Sequence, residues 1–349
     1  MSASSALRRY IFDALFFAYS AALVIYGAML IFGGDTSQET AIAQMNTILL
    51  SLLGLSAVSA AVAVGCAKAH ISTLGEVLFA SHARRLELGK IGFFKSQWGL
   101  HLTATMLLTF LVSVKVTEFS FYELTDAGGI AGALRLYHGL THANLGLLPT
   151  AIAQVVQTIF IAFLATVIAI PPAFVLSFLG ARNVMTGNTG FTIYAVTRTV
   201  LNIARSVEPL IWALIFTVWV GVGPFAGMLA LMIHSLASLA KQFSEIIEDA
   251  GPGPIEAIRS TGASPLQVVW FAIVPQTLMP FISFVIYRWD TNLRMATVIG
   301  LVGGGGIGTL LIQYQGQAMW PEVGCIIIVI AAAVWVMDVA SSYIREALR

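Results

Sequence analysis

Two short stretches concentrate the polar chemistry of this chain. The first, Tyr287-Arg288-Trp289-Asp290-Thr291-Asn292-Leu293-Arg294, sets two guanidinium groups and one carboxylate at the end of an apolar run. Charges so placed are costly unless they pair, meet water or serve a function. Two readings stand side by side. Arg288 and Asp290 pair and anchor a bend, or Arg288 and Arg294 present forked donors to an anion. The second stretch, residues 249–275, is polar, punctuated by proline and glycine, and flanked by apolar runs. Pro252 and Pro254 suit a turn and a first helical position. Glu256 then falls in the first helical turn, where a negative charge suits the helix dipole. Ile255 and Ile258 share a face, Gly262 supplies a left-handed stop, and Ser264-Pro265 caps the next helix. About two turns of helix, with an apolar face and a few charges, make a docking knob.

The elements around these stretches are membrane spans. The chain has 349 residues, 58% hydrophobic and 10% charged, where soluble proteins carry about 25% charged residues. Its net charge of +1 gives no field for nucleic acid. Runs near 20 apolar residues, enough to cross the hydrocarbon core, fall at about 11–32, 45–67, 98–118, 149–180, 207–222, 225–241, 267–287 and 322–343. Lysine and arginine mark the inner loops. Arg8 and Arg9 hold the N-terminus inside, and the first run is retained as a signal anchor. Lys68, Arg84, Arg85, Lys90 and Lys95 hold 68–97 inside. Arg182, Arg198 and Arg205 do so for 181–206, Lys241 and Arg259 for the punctuated stretch, and Arg345 and Arg349 for the C-terminus. The acidic segment 119–148 lies outside. The fold expected is all-α and integral to the membrane, with about eight spans and both termini cytoplasmic. Residues 1–147 form a three-span N-terminal part with a basic inner loop, and 148–349 a five-span core.

Several further features bear on chemistry. Within 295–315, Gly303 to Gly306 would unravel a lipid-exposed helix, so this segment is a broken or re-entrant element near the outer side. Thr150, Gln154, Gln157 and Thr158 make a polar stripe on one helix face, lining a pore or bonding neighbouring helices. In 68–97, Val77, Leu78, Phe79 and Leu86 alternate with basic residues, as a solvated connector or a segment lying on the inner leaflet. Arg205 and Glu208 form a pair at a helix start, and His234 inside an apolar run faces a helix interface or cavity. His138 and His142 have helical metal-ligand spacing without a third ligand. Cys66 and Cys325 are small hydrophobes. Gly89-Lys90-Ile91 does not complete a phosphate-cradling loop. Gly303, Gly305 and Gly308 lack the strand–turn–helix context of a dinucleotide site. Any ATP hydrolysis belongs to another polypeptide.

Glu256-Ala257, Gly262 and Pro275 reproduce the spacing of the EAA loop of bacterial ABC-importer permeases, with Ile258 in place of the second alanine. Around it, Ala181-Arg182-Asn183, Arg198 to Asn202, Trp212 to Phe216, Gly221 to Gly227, Tyr287-Arg288, Asn292, Arg294 and Gly300 to Gly308 resemble phosphonate-type permeases over about 148–345. The glycine run is shared with methionine permeases. The N-terminal 147 residues are unlike the family's shorter start. The resemblance implies a type I importer fold like that of the methionine permeases. Pro254, Ile255, Glu256, Ala257, Ile258, Arg259, Gly262, Ala263 and Pro265 would couple to the ATPase. Arg288, Asp290, Asn292, Arg294, Gly303, Gly304, Gln154, Gln157 and Thr158 would lie along the substrate path. It implies two ATP-binding subunits carrying ATP and Mg, a second copy of the chain, and an extracytoplasmic binding protein. The setting would be the bacterial inner membrane, and the cargo a phosphonate, phosphite or phosphate. The chain itself would bind no metal or cofactor and catalyse nothing covalent. The alternatives are a permease for methionine or another amino acid, and a secondary transporter or scaffold.

Overall fold

A computed structural model describes residues 3–32, 58–66, 72–79 and 92–348. They group into two compact units, Met1–Asp126 and Ala127–Arg349. Among the described residues six helices are long and apolar enough to cross a membrane, or seven if one bent pair counts as a span. The span expected at 45–67 lies outside the described residues except for 58–66, which are helical.

In the first unit, α1 (Ala3–Phe32) packs with α2 (Leu74–Phe79) and α3 (Gln97–Val116), and α4 (Phe121–Thr125) follows. Asp13 on α1 is buried and accepts bonds from the Thr73 hydroxyl at 2.6 Å and the Gly75 N–H at 2.7 Å. Ser20 and Thr105 hydroxyls meet at 3.0 Å across α1 and α3. Val77 and Phe79 of the basic connector lie in α2, whereas Arg84, Arg85 and Leu86 lie outside the described residues.

The second unit begins with α5 (Ala127–Thr141), from the segment that sequence assigned to an outer loop of the N-terminal part. It packs against the last helix, and the Asn144 N–H that follows it donates to Pro321 O at 3.0 Å. His138 and His142 stack with ring centroids 4.0 Å apart. Helix α6 (Leu148–Leu179) comes next, then α7 (Gly187–Ser206), α8 (Pro209–Val220) and α9 (Pro224–Glu248). The most buried span is α9. Ala162, Ala165, Ala169 and Ala173 of α6 and Ala226, Ala230, Ala237 and Ala240 of α9 are all fully buried. Small residues of this kind let helix backbones approach closely in a membrane.

The span expected at 207–222 is a correction. Helix α8 has 12 residues, about 18 Å at 1.5 Å per residue, against a hydrocarbon core of about 30 Å. It continues α7 round a bend of 86°. The cause is local: Pro209 disfavours helical geometry at the residue before it, and Glu208 is extended at ψ 142°. Arg205 and Glu208, expected to pair, form no ion pair there.

After α9 come α10 (Pro252–Ser260), α11 (Pro265–Val268), a π-helical turn Val269–Ile273, and α12 (Val274–Gly300). Pro275 has no N–H for the carbonyl of Phe271, four residues back, and the helical ladder widens where that bond is missing. The apolar run expected to end near 287 stays helical to Gly300. Gly303 to Gly306 then form a tight loop, α13 (Ile307–Gly316) restarts the helix, and α14 (Trp320–Ala347) ends the described chain. The glycines thus break the helix, as their backbone cost requires.

Candidate functional site

The punctuated stretch folds much as its local chemistry dictates. Gly262 adopts φ +81° directly after α10, a conformation that disfavours any side chain. The Ser264 hydroxyl and the Gln267 side chain form a reciprocal capping box at the start of α11. One expectation is corrected. Helix α10 starts at Pro252, so Glu256 is its fifth residue and lies beyond the first turn, where the dipole acts less. Pro254, Glu256, Ala257, Arg259, Gly262 and Pro265 are exposed, and Ile258 and Ala263 are half-buried. Ile255 packs inward on the core around Phe243 and Ile247, so part of the apolar face is used within the chain.

Residues that sequence reasoning missed fix the base of this segment. The Gly251 N–H donates to Gln276 Oε1 at 3.1 Å, joining the two ends of the loop. Arg198 of α7 donates to Glu248 at 2.8 Å and to Gly180 O at 3.1 Å. Glu248 also accepts from the Arg182 N–H at 2.9 Å, and Asn183 donates to Ile247 O at 2.7 Å. The basic connector after α6 is therefore bound to the end of α9. A cavity of about 590 Å³ lies beside α10, lined by Asn183, Ile255, Arg259, Ala263 and Val268 among others.

The charged stretch sits elsewhere than expected. Because α12 runs on to Gly300, residues 288–294 lie inside a continuous 36-residue helical stretch, Pro265–Gly300, and not at its outer end. Residues two apart on a helix point about 200° apart, so the cluster divides between two faces. Asn292 is 1% exposed. Its Nδ2 donates to the Thr166 hydroxyl of α6 at 2.9 Å and to the Ser235 hydroxyl of α9 at 2.7 Å. It thus fastens three helices. On the other face Arg294 donates to Asp290 at 2.8 Å and to Asp338 of α14. Arg288 pairs with neither, so the expected Arg288–Asp290 pair is replaced by Asp290–Arg294, whose four-residue spacing puts both on one face. The sequence did carry one signal for Asp338: a lone acid inside the last apolar run.

The polar stripe and the glycine loop come together at Thr158. Its hydroxyl donates to Gln154 O at 2.8 Å and accepts from the Ile307 N–H at 2.9 Å, capping α13. Gly306, at φ +72°, lies against that hydroxyl, where a Cβ would have no room. Gly304 lies against Gly227 of α9, and Gly303 is half-buried beside Val222. Gln154 and Gln157 are half-buried on the same face of α6.

Deep helices, small-residue seams, a broken helix and an exposed short helix between two spans make up a multi-pass membrane protein. Residues 177–349 match the family described as binding-protein-dependent transport system inner membrane component. The phosphite transport system permease protein PtxC of Stutzerimonas stutzeri is 38% identical over 195 residues, 56% of this chain and 70% of that protein. The phosphate-import permease protein PhnE of Mycolicibacterium smegmatis is 37% identical over 188 residues, 53% of this chain and 35% of that protein. A chain of the inward-facing MetNI methionine ABC transporter superposes with TM-score 0.51 at 19% identity, over 59% of this chain and 99% of that one. The last likeness concerns the fold. The chain belongs to the binding-protein-dependent transport system inner membrane component family.

Proposed function

We propose that this permease carries a phosphorus oxyanion, a phosphonate, phosphite or phosphate, into a bacterial cytoplasm across the inner membrane. Its relatives named for phosphite and phosphate transport support that cargo. The observation that carries the mechanism is the segment 249–275: a short exposed helix, held at its base by Gln276, between two deep spans. Pro254, Glu256, Ala257, Arg259 and Gly262 offer that helix to a separate ATP-binding subunit, which holds ATP and Mg. ATPase subunits work in pairs and each chain has one such helix, so two permease chains assemble. An extracytoplasmic binding protein delivers the cargo. Closure of the ATPase pair moves the α10 helices and rocks the spans between inward- and outward-facing states. The chain catalyses nothing covalent.

The test is uptake by cells expressing the permease with its ATPase and binding protein. Gly262→Asp and Glu256→Lys are each expected to abolish accumulation while the protein still reaches the membrane. Normal uptake in both sinks the coupling role. Labelled phosphite, phosphate, methylphosphonate and methionine, offered in parallel, decide the cargo, and exclusive accumulation of methionine overturns the oxyanion reading.

A further inference from the structure

Arg288 is a buried charge without a counter-ion. It is 8% exposed, and its Nε has no hydrogen-bond partner. Among the described residues it forms no ion pair; Asp290 of α12 and Asp338 of α14 are taken by Arg294. A buried guanidinium left unpaired is expensive, and its forked donors match two oxygens of a tetrahedral anion.

What surrounds Arg288 also favours an anion. Asn292, one turn further along the same face, meets Ser235 of α9. His234, the neighbour of Ser235 on α9, lies within electrostatic reach of Arg288, and its Nδ1 also lacks a partner. Arg205 stands at the α7–α8 elbow, within electrostatic reach of both. Among the described residues, Glu208 is the carboxylate acting on His234, and none acts on Arg288. Two guanidiniums thus face one acid, with the His234 imidazole beside them as a hydrogen-bonding group. On the opposite face of α12, Arg294 and Arg345 act on two acids, Asp290 and Asp338. That side is already neutral and has no surplus for a cargo.

We infer that Arg288, flanked by His234 and Arg205, is the recognition point for the transported oxyanion, and that Arg294 belongs to a self-neutralised structural group. The inference rests on the oxyanion cargo proposed above. Arg288 sets specificity by its fork of donors, Arg205 raises the local positive potential, and His234 offers a hydrogen bond to the anion.

The experiment reconstitutes the permease with its ATPase and binding protein in phosphatidylcholine vesicles and follows labelled phosphate, phosphite and methylphosphonate. Arg288→Gln is expected to lower uptake about tenfold or more, with Arg288→Lys recovering part of it because the charge remains without the fork. His234→Gln and Arg205→Gln are expected to lower uptake by about two- to fivefold each. Uptake within twofold of wild type in Arg288→Gln overturns the inference. If that variant fails to assemble, Arg288→Lys carries the test: a changed preference between phosphate and phosphite supports the site, and an unchanged preference overturns it. A defect that appears only when anionic lipid is added assigns Arg288 to lipid phosphate and also overturns it. Wild-type vesicles that take up none of phosphate, phosphite and methylphosphonate overturn the proposed cargo, a failure seen without any variant.

Discussion

The exposed segment 249–275 and the buried stretch 288–294 both break an apolar pattern with charge and hydrogen-bonding groups, yet they are satisfied in opposite ways. In the first, apart from the Gly251–Gln276 tie across its base, the partners are close in sequence. Ser264 meets Gln267, Gly262 supplies its own left-handed turn, and most polar groups reach water. In the second, beyond the Asp290–Arg294 pair, the partners come from helices far along the chain: Thr166, Ser235 and Asp338. A locally satisfied segment is free to present itself to another molecule. A segment satisfied by tertiary contacts fixes the helices around it, and its one unsatisfied member is then the exception to explain.

This contrast is testable from its strongest point downwards. Gly262→Asp forces a side chain into φ +81° at the stop of α10 and is expected to abolish uptake without preventing insertion, read by uptake against membrane-fraction yield. Arg294→Gln leaves Asp290 buried and unpaired beside Asp338, and is expected to lower the melting temperature of the purified protein more than Arg288→Gln does. An equal or larger loss for Arg288→Gln would reverse the assignment of the two faces. Asn292→Ala strips partners from Thr166 and Ser235 and is expected to cost about 1–3 kcal/mol in detergent unfolding. Gln276→Leu removes the bond to the Gly251 N–H, expected to cost about 1 kcal/mol and to speed proteolysis within 249–275. If Asn292→Ala proves milder than Gln276→Leu, the contrast between local and tertiary satisfaction fails.

The same contrast explains what the sequence made legible. Caps, stops and proline positions act over four residues, so α10, Gly262 and the Ser264 cap were readable, apart from a start two residues early that moved Glu256 out of the first turn. The glycine break after Gly300 was readable for the same reason. The end of α12 was not, because the charges at 288–294 look like a boundary until Thr166, Ser235 and Asp338 are found opposite them. The partner of Arg294 was within reach of helical spacing, since Asp290 is four residues away, while Arg288 has no acid at that distance. The α7–α8 elbow was hidden because Arg182, Arg198 and Arg205 marked 181–206 as an inner loop and the apolar run from Val207 as a separate span. The ties from Arg198 to Glu248 and from Gly251 to Gln276 carried no local signal at all.

The Asp290–Arg294 pair also bears on how the chain is made. A charged residue at the centre of a span opposes entry into the bilayer by about 2.5–3.5 kcal/mol each when alone. Helix α12 emerges from the ribosome before α14, so Arg294 must enter the bilayer before Asp338 exists. Its bond to Asp290 within the same helix neutralises it at that moment. Thr166 and Ser235 have already been synthesised and wait to receive Asn292. Arg288 enters with no acid within helical reach to offset it, so it adds to the cost of inserting α12.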